Sequence, residues 1–179
     1  MIVNVEKFLE SKKDYEYIRG QFVKKERGGA RRSGICSRLL FHLGMFVKEN
    51  SLGEIYGPDA NFAIGLNYRL PDISFISVEQ FPLEGEPIGV WKINPDLAVE
   101  IISPNDIYSE IEDKIYEYFE AGVKRVWIIY SKNKTLTVYR SPTNVKILTE
   151  NDNLTCEELL PNFRLALKEI FKMPHPSAT

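Results

Sequence analysis

Residues 96–130, DLAVEIISPNDIYSEIEDKIYEYFEAGVKRVWIIY, decide the fold. The stretch reads as strand, tight connection, helix, strand. Leu97, Ala98, Val99, Ile101 and Ile102 form a nearly continuous apolar run, the pattern of a central strand buried on both faces. Glu100 interrupts it. Glutamate is depleted inside strands and rarely buried without a partner, so Glu100 requires a counter-charge or a ligand. In the helix that follows, Ile111, Ile115, Tyr118 and Phe119 recur at helical spacing. Ser109 to Glu112 has the form of a capping box, which predicts a helix starting at Ser109, and Gly122 ends it. With Ile111 as reference at about 100° per residue, Tyr118 lies near −20° and Lys114 near −60°. Lys114 therefore borders the buried stripe and can reach the sheet. It also follows Glu110 by four residues, the orientation of an ordinary helix ion pair.

Working outward, residues 1–13 read as a short amphipathic helix with Val5, Phe8 and Leu9 on one face. YEYIRGQFVKKE reads as two short strands around Gly20, with Glu16 between two tyrosines as a subsidiary site candidate. A helix is predicted over 33–49, where Ile35, Leu39, Leu43 and Phe46 share a face. His42 beside that stripe has no second histidine nearby and reads as a core residue rather than a ligand. EIYG, NFAIG and LPDISFIS are further strands, and 79–90, rich in Pro, Gly and Glu, is a surface loop. After the helix and strand of 109–130, TLTVYR and NVKILTE read as a hairpin. The segment 154–171 carries at least one short helix.

Composition narrows the class. At 179 residues, with 44% hydrophobic and 27% charged residues, the chain suits one domain, expected over 1–172, with a disordered tail at 173–179. No apolar run approaches the roughly 18 residues of a membrane span, and the start is not a secretory signal. Cys36 and Cys156 lack metal-ligand spacing, and a cytoplasmic location is the simplest expectation. A net charge of −2 does not suit bulk coating of nucleic acid. One local run is basic: Lys24, Lys25, Arg27, Arg31, Arg32 and Arg38. It is either a solvated loop and helix end or a patch that faces the phosphates of DNA.

Asp72, after Pro71, opens a strand, and Glu100 lies within another. If those strands are neighbours, the two carboxylates converge. Two hard carboxylates, completed by the backbone carbonyl of Ile101, suit a divalent cation, most naturally Mg²⁺, with Mn²⁺ as the alternative. Lys114 could then deprotonate or orient a water, or neutralise charge that develops on a phosphoryl group. Asp72 has the plainer reading of a turn residue. There is no nucleophilic Ser or Cys in a recognisable setting, no Gly-rich phosphate loop and no dinucleotide fingerprint, so no organic cofactor is expected.

The order of these features resembles the PD-(D/E)XK nuclease superfamily and, more closely, the Uma-two family of restriction-endonuclease-like proteins. The matching residues are Tyr15-Glu16 with Gly20, Pro71-Asp72, Pro95-Asp96, Val99-Glu100-Ile101, Ser103-Pro104, Lys114 with Tyr118, Gly122-Val123 and Val126-Trp127-Ile128. The resemblance implies an α/β (mixed α+β) fold with a restriction-endonuclease-like core: a central mixed β-sheet flanked by helices. It implies Asp72 and Glu100 as metal ligands. The superfamily's basic pattern places lysine two residues after the acid. Here that position is Ile102, and relatives of this kind take the lysine from the next helix, where Lys114 fits. Arg32 stands where the family often has His, and Glu110 where it often has Asp. The implied function is a metal-dependent endonuclease acting on DNA, as a homodimer if it cuts both strands. The alternative is a non-catalytic nucleic-acid-binding or protein-interaction module on the same fold.

Overall fold

A computed structural model describes residues 4–12, 14–25, 28–103 and 106–173. Arg27, Pro104 and all of the expected tail except Met173 lie outside the described residues. In chain order the elements are α1 (Val5–Ser11), β1 (Tyr15–Ile18), β2 (Gln21–Lys24), α2 (Ala30–Glu49), β3 (Gly53–Tyr56), β4 (Phe62–Ile64), β5 (Asn67–Arg69) and β6 (Ile73–Ser77). There follow β7 (Leu97–Ile102), α3 (Tyr108–Glu120), β8 (Arg125–Tyr130), β9 (Thr135–Ser141), β10 (Asn144–Thr149), β11 (Asn153–Cys156), β12 (Leu160–Ala166) and α4 (Lys168–Phe171).

The central sheet has six strands in the order β10-β9-β8-β7-β6-β3. β7 and β8 pair in parallel, with Glu100 beside Ile128, and the other neighbours pair antiparallel. The mixed sheet flanked by helices is the predicted one. A parallel pair needs a crossover, and α3 supplies it. β7 is buried on both faces, as its apolar run requires. Val99 and Ile101 pack with Leu39 and Leu43 of α2 and with Phe163 and Ile170 of the C-terminal segment. Ala98 packs on the other face with Ile115 and Tyr118 of α3 and with Phe62 of β4. A four-stranded sheet, β2-β1-β5-β4, contributes to that second layer.

Four local readings change. α2 begins at Ala30, three residues earlier than predicted, so Arg31 and Arg32 lie on the helix. The capping box at Ser109 does not form: α3 starts at Tyr108 with Ile107 as N-cap and no side-chain cap, leaving Ser109 inside the first turn. β5 was not foreseen, and it forms a hairpin with β4. The segment 154–171 is mainly the β11–β12 hairpin, with α4 as its one short helix among the described residues. The stop of α3 is as read. Gly122, at φ 99°, closes it while Val123 N–H donates to Tyr118 O (2.9 Å) and Gly122 N–H to Phe119 O (3.0 Å). Cys36 and Cys156 are buried and unpaired.

Two glycines give opposite predictions. Gly53 lies at φ 146°, and a Cβ there would collide with the backbone oxygen of Ile76. Gly53→Ala should therefore lower unfolding stability by about 2–4 kcal/mol. Gly44, within α2, has nothing within 4 Å of its Cβ position, so Gly44→Ala should raise stability by about 0.5–1 kcal/mol. Urea unfolding of the two variants measures both, and a Gly53→Ala midpoint equal to wild type would contradict the close approach of β3 to β6.

Candidate active site

The site lies where the two sheets, α2 and α3 meet. Asp72 immediately precedes β6, and its N–H donates to Val99 O (3.0 Å), which brings it alongside Glu100 on the adjacent β7. Glu16 comes from β1, in the other sheet. The three carboxylates are only 6%, 4% and 4% exposed for Glu16, Asp72 and Glu100, so each needs the partner that burial demands.

Those partners are present, and two of the four cations among them, Lys25 and Arg32, come from the basic run. Arg32 on α2 holds both oxygens of Asp72 through one terminal nitrogen, at 2.7 and 2.8 Å. Ile101 N–H donates to Asp72 Oδ2 at 2.7 Å. Lys25, just after β2, places its Nζ 2.9 Å from Asp72 Oδ1 and 3.9 Å from Glu100 Oε2, and donates to Leu70 O. Lys114 reaches inward from α3, as the helical geometry predicts. Its Nζ lies 3.0 Å from Glu100 Oε1 and 3.2 Å from Glu16 Oε1. Glu110 is not among its described partners. Tyr118 Oη donates to Glu100 Oε1 at 2.7 Å, so α3 grips Glu100 twice.

Glu16, the subsidiary candidate, is fully engaged. Leu70 N–H donates to its Oε1 (2.9 Å) and Arg69 to its Oε2 (3.1 Å). Arg69 also binds Glu117 Oε2 through two nitrogens, at 2.6 and 2.8 Å. Sequence reasoning missed Arg69 and Glu117. Arg69 ends a three-residue strand too short for a periodic signal, and Glu117 looks like one more polar residue of an amphipathic helix.

The basic run therefore divides. Lys25 and Arg32 turn inward onto Asp72. Lys24 lies on the surface, 3.6 Å from Asp14. Arg38 donates from Nε to Ile170 O (2.7 Å), and Arg31 is exposed. His42 is half-buried beside the ring of Phe41.

The charges offset one another: Glu16, Asp72, Glu100 and Glu117 face Lys25, Arg32, Arg69 and Lys114. Burial alone would push Glu16 up, but Lys114, Arg69, Lys25 and the Leu70 N–H together outweigh it and hold the carboxyl at about 2. Burial opposes ionisation of Asp72 too, and Lys25 and Arg32 bring it below its ordinary value. Burial works against the charge on Lys114, but Glu100 and Glu16 raise it above the ordinary lysine range. The two carboxylates thus favour the ammonium form of Lys114, which suits charge stabilisation. Burial and Glu100 push the Tyr118 hydroxyl far up, so it remains a donor. Burial, then Asp72, lifts the Cys36 thiol to about 11, which leaves it neutral.

Two clefts meet at this network. One, of about 510 Å³, is lined by Glu16, Glu100, Arg69 and Lys114, with Ile107 and Val23 exposed at its edge. The other, of about 420 Å³, is lined by Asp72, Cys36 and Pro58. Lys25 and Arg32 line both, and so form the partition between them.

Glu16 makes the network testable in acid. Its folded value of about 2 lies below its ordinary 4.5, so between these the unfolded chain binds a proton that the native chain refuses. The stabilisation is complete above about pH 4.5 and is lost as pH falls toward 2, with a total of about 3 kcal/mol. Between pH 5 and pH 3, the urea midpoint of wild type should fall more steeply than that of Glu16→Gln. Parallel curves would remove Glu16 from the network.

The fold and sequence have known counterparts. A crystal structure of a putative nuclease belonging to DUF820 from Anabaena variabilis superposes with a TM-score of 0.78. It is 22% identical, with 88% of this chain and 89% of that chain covered. No curated protein matches the sequence. The family model described as a putative restriction endonuclease matches residues 4–168, which include every site residue named above. The chain belongs to this family, Uma2 (Uma-two).

Proposed function

We propose that the protein is a metal-dependent endonuclease that hydrolyses phosphodiester bonds of DNA at the Asp72–Glu100–Lys114 site. One observation carries the reading: a single cationic nitrogen, Lys25 Nζ, serves Asp72 and Glu100 together, so the two carboxylates converge on one position. Among the described residues no group of three or more His, Cys, Asp and Glu side chains could hold a metal ion. The pair is nonetheless the donor set that suits Mg²⁺, which keeps much of its water and takes one or two carboxylates. Asp72 and Glu100 would hold the ion, Mg²⁺ or Mn²⁺, with the carbonyl of Ile101 as a third donor. Bound there, it would supply Lewis acidity to the scissile phosphate and lower the pKa of a water.

The chain's own groups divide the remaining work. Tyr118 and Lys114 fix the Glu100 carboxylate from α3. Lys114, held as an ammonium, faces the 510 Å³ cleft and stabilises negative charge on a phosphate placed there. Arg32 and the Ile101 N–H orient Asp72. Lys25 occupies the position between the carboxylates, and it has to leave when another cation takes that position. Withdrawal of the Lys25 ammonium would remove one positive charge, which together with the single negative charge of a phosphodiester would offset the two positive charges of a divalent cation held by Asp72 and Glu100. The exchange keeps the site neutral, and it couples Lys25 to substrate arrival. A homodimer would place two such sites for the two strands of a duplex.

One observation favours the other reading, a non-catalytic nucleic-acid-binding or protein-interaction module. The four carboxylates and four cations already balance, so the network can exist as a purely structural brace. Two experiments separate the readings. Plasmid cleavage with Mg²⁺ should fall about 10²-fold or more in Glu100→Ala and in Lys114→Ala. Equal cleavage by all three proteins would remove this active site. Titration with Mn²⁺ followed by calorimetry should give a Kd about tenfold lower in Lys25→Met than in wild type, and no binding in Asp72→Ala. If Mn²⁺ binds neither wild type nor Lys25→Met, the module reading prevails.

A further inference from the structure

The exposed half of the basic run has a structural context of its own. On α2, Arg31 and Arg38 are seven residues apart, which places them within about 20° of each other and about 100° or more from Arg32. They meet residues from the C-terminal part of the chain in a third cleft, of about 490 Å³. Its charged lining is Arg31, Arg38, Lys134, Lys168 and Lys172, with Glu150 as the one acid.

The cations differ in how they are held. Arg38 is fixed, because its Nε donates to Ile170 O and its terminal nitrogens lie over Gly34, where a Cβ would come within 3.1 Å. Gly34 leaves room for that guanidinium. Lys134 and Glu150 pair at 2.8 Å, but both are close to half exposed, so the pair contributes little. Arg31, Lys168 and Lys172 are exposed and have no ion-pair partner among the described residues. In a chain of net charge −2, five cations are gathered here from α2, the β8–β9 turn and the α4 end, against the single acid Glu150. Their mutual repulsion is relieved by a polyanion.

We infer that this cleft binds the phosphodiester backbone of a DNA duplex, alongside the catalytic cleft and separate from it. The inference rests on the nuclease reading for the identity of the polyanion. Arg31 and Arg32 are consecutive on α2 and line different clefts, so the two clefts are neighbours along the helix. The contacts are to phosphate and carry no base specificity.

The test reads binding alone. A fluorescein-labelled 20-base-pair duplex is titrated with the full chain in EDTA, by anisotropy, at several KCl concentrations. The triple variant Arg31→Gln/Lys168→Gln/Lys172→Gln should bind about tenfold more weakly at 100 mM KCl. The slope of log K against log salt should become shallower by about 2 to 3, since each phosphate contact contributes about 0.9. Lys7→Gln/Lys48→Gln/Lys146→Gln, which changes three exposed lysines outside the cleft, should bind like wild type. Equal affinity and slope in the two triple variants overturn the proposal, as does a wild type that does not bind. Competition by inorganic phosphate at constant ionic strength also overturns it, in favour of a small-anion site. A wild type that binds this way but does not cut with Mg²⁺ keeps the cleft and removes the nuclease reading. Cleavage by a wild type whose cleft variant binds unchanged does the reverse.

Discussion

A carboxylate in the middle of the central strand sets the terms for everything around it. Glu100 is 4% exposed on a strand buried on both faces. A lone ionised group there would cost several kcal/mol, and it would neutralise or unfold its surroundings rather than persist. Lys114 and Tyr118 from α3 and Lys25 from the end of β2 prevent that. Lys114 then brings in Glu16, and Glu16 brings in Arg69 and Glu117. A single buried charge thus recruits the small sheet and α3 into one electrostatic unit with the large sheet. Ion pairs of this kind are weak evidence for stability, since packed apolar residues of the same volume would serve the fold as well or better. A chain that keeps them retains a polar centre at the expense of a simpler core.

Much of this was legible in the sequence, and what was not has a physical cause. Glu100 stood out because it breaks an apolar run, and Lys114 because 100° per residue puts it at the border of a buried stripe. The strand–helix–strand unit of 97–130 followed from period alone. The start of α3 did not, because Ser109 matches a capping box while the chain takes Ile107 as its N-cap without any side-chain bond. The Glu110–Lys114 pair was an equally good local reading, but long-range burial overrides it. The roles of Lys25 and Arg32 were hidden by their neighbours. In a run of six basic residues each looks like a solvated or phosphate-facing cation. The signal that could have found them was an accounting one: two or three buried acids need more cations than Lys114 provides. Arg69 could have been sought on the same ground.

The helix α2 links the two halves of the functional picture. Its apolar stripe, Ile35, Leu39, Leu43 and Val47, lies on the sheet and fixes its rotation. With rotation fixed, Arg32 must point at Asp72, and Arg31 and Arg38 must point elsewhere. The extra turn at its start, from Ala30, matters more than its length suggests. It makes Arg31 and Arg32 helical, so their directions are set by packing in the core and not by a flexible loop. The separation of Arg32 from Arg31 and Arg38 is therefore a consequence of hydrophobic burial some distance along the same helix.

Charge balance also constrains how such a centre can work. The four acids and four cations of the network leave it without net charge. Lys25 is the natural point of exchange. It comes from the end of a short strand, it lines both clefts, and its bond to Glu100 is the longest contact in the network, at 3.9 Å. Arg32, by contrast, takes both oxygens of Asp72 from a rigid helix. Replacement of Lys25 leaves Asp72 oriented by Arg32 and the Ile101 N–H and Glu100 held by Lys114 and Tyr118, whereas replacement of Arg32 removes the group that takes both oxygens of Asp72, and replacement of Lys114 removes one cation from Glu100 and Glu16 together. On the proposed mechanism the groups separate into a frame, Arg32, Lys114 and Tyr118, and one exchangeable cation, Lys25, so that the centre would change its charge with little change in its geometry.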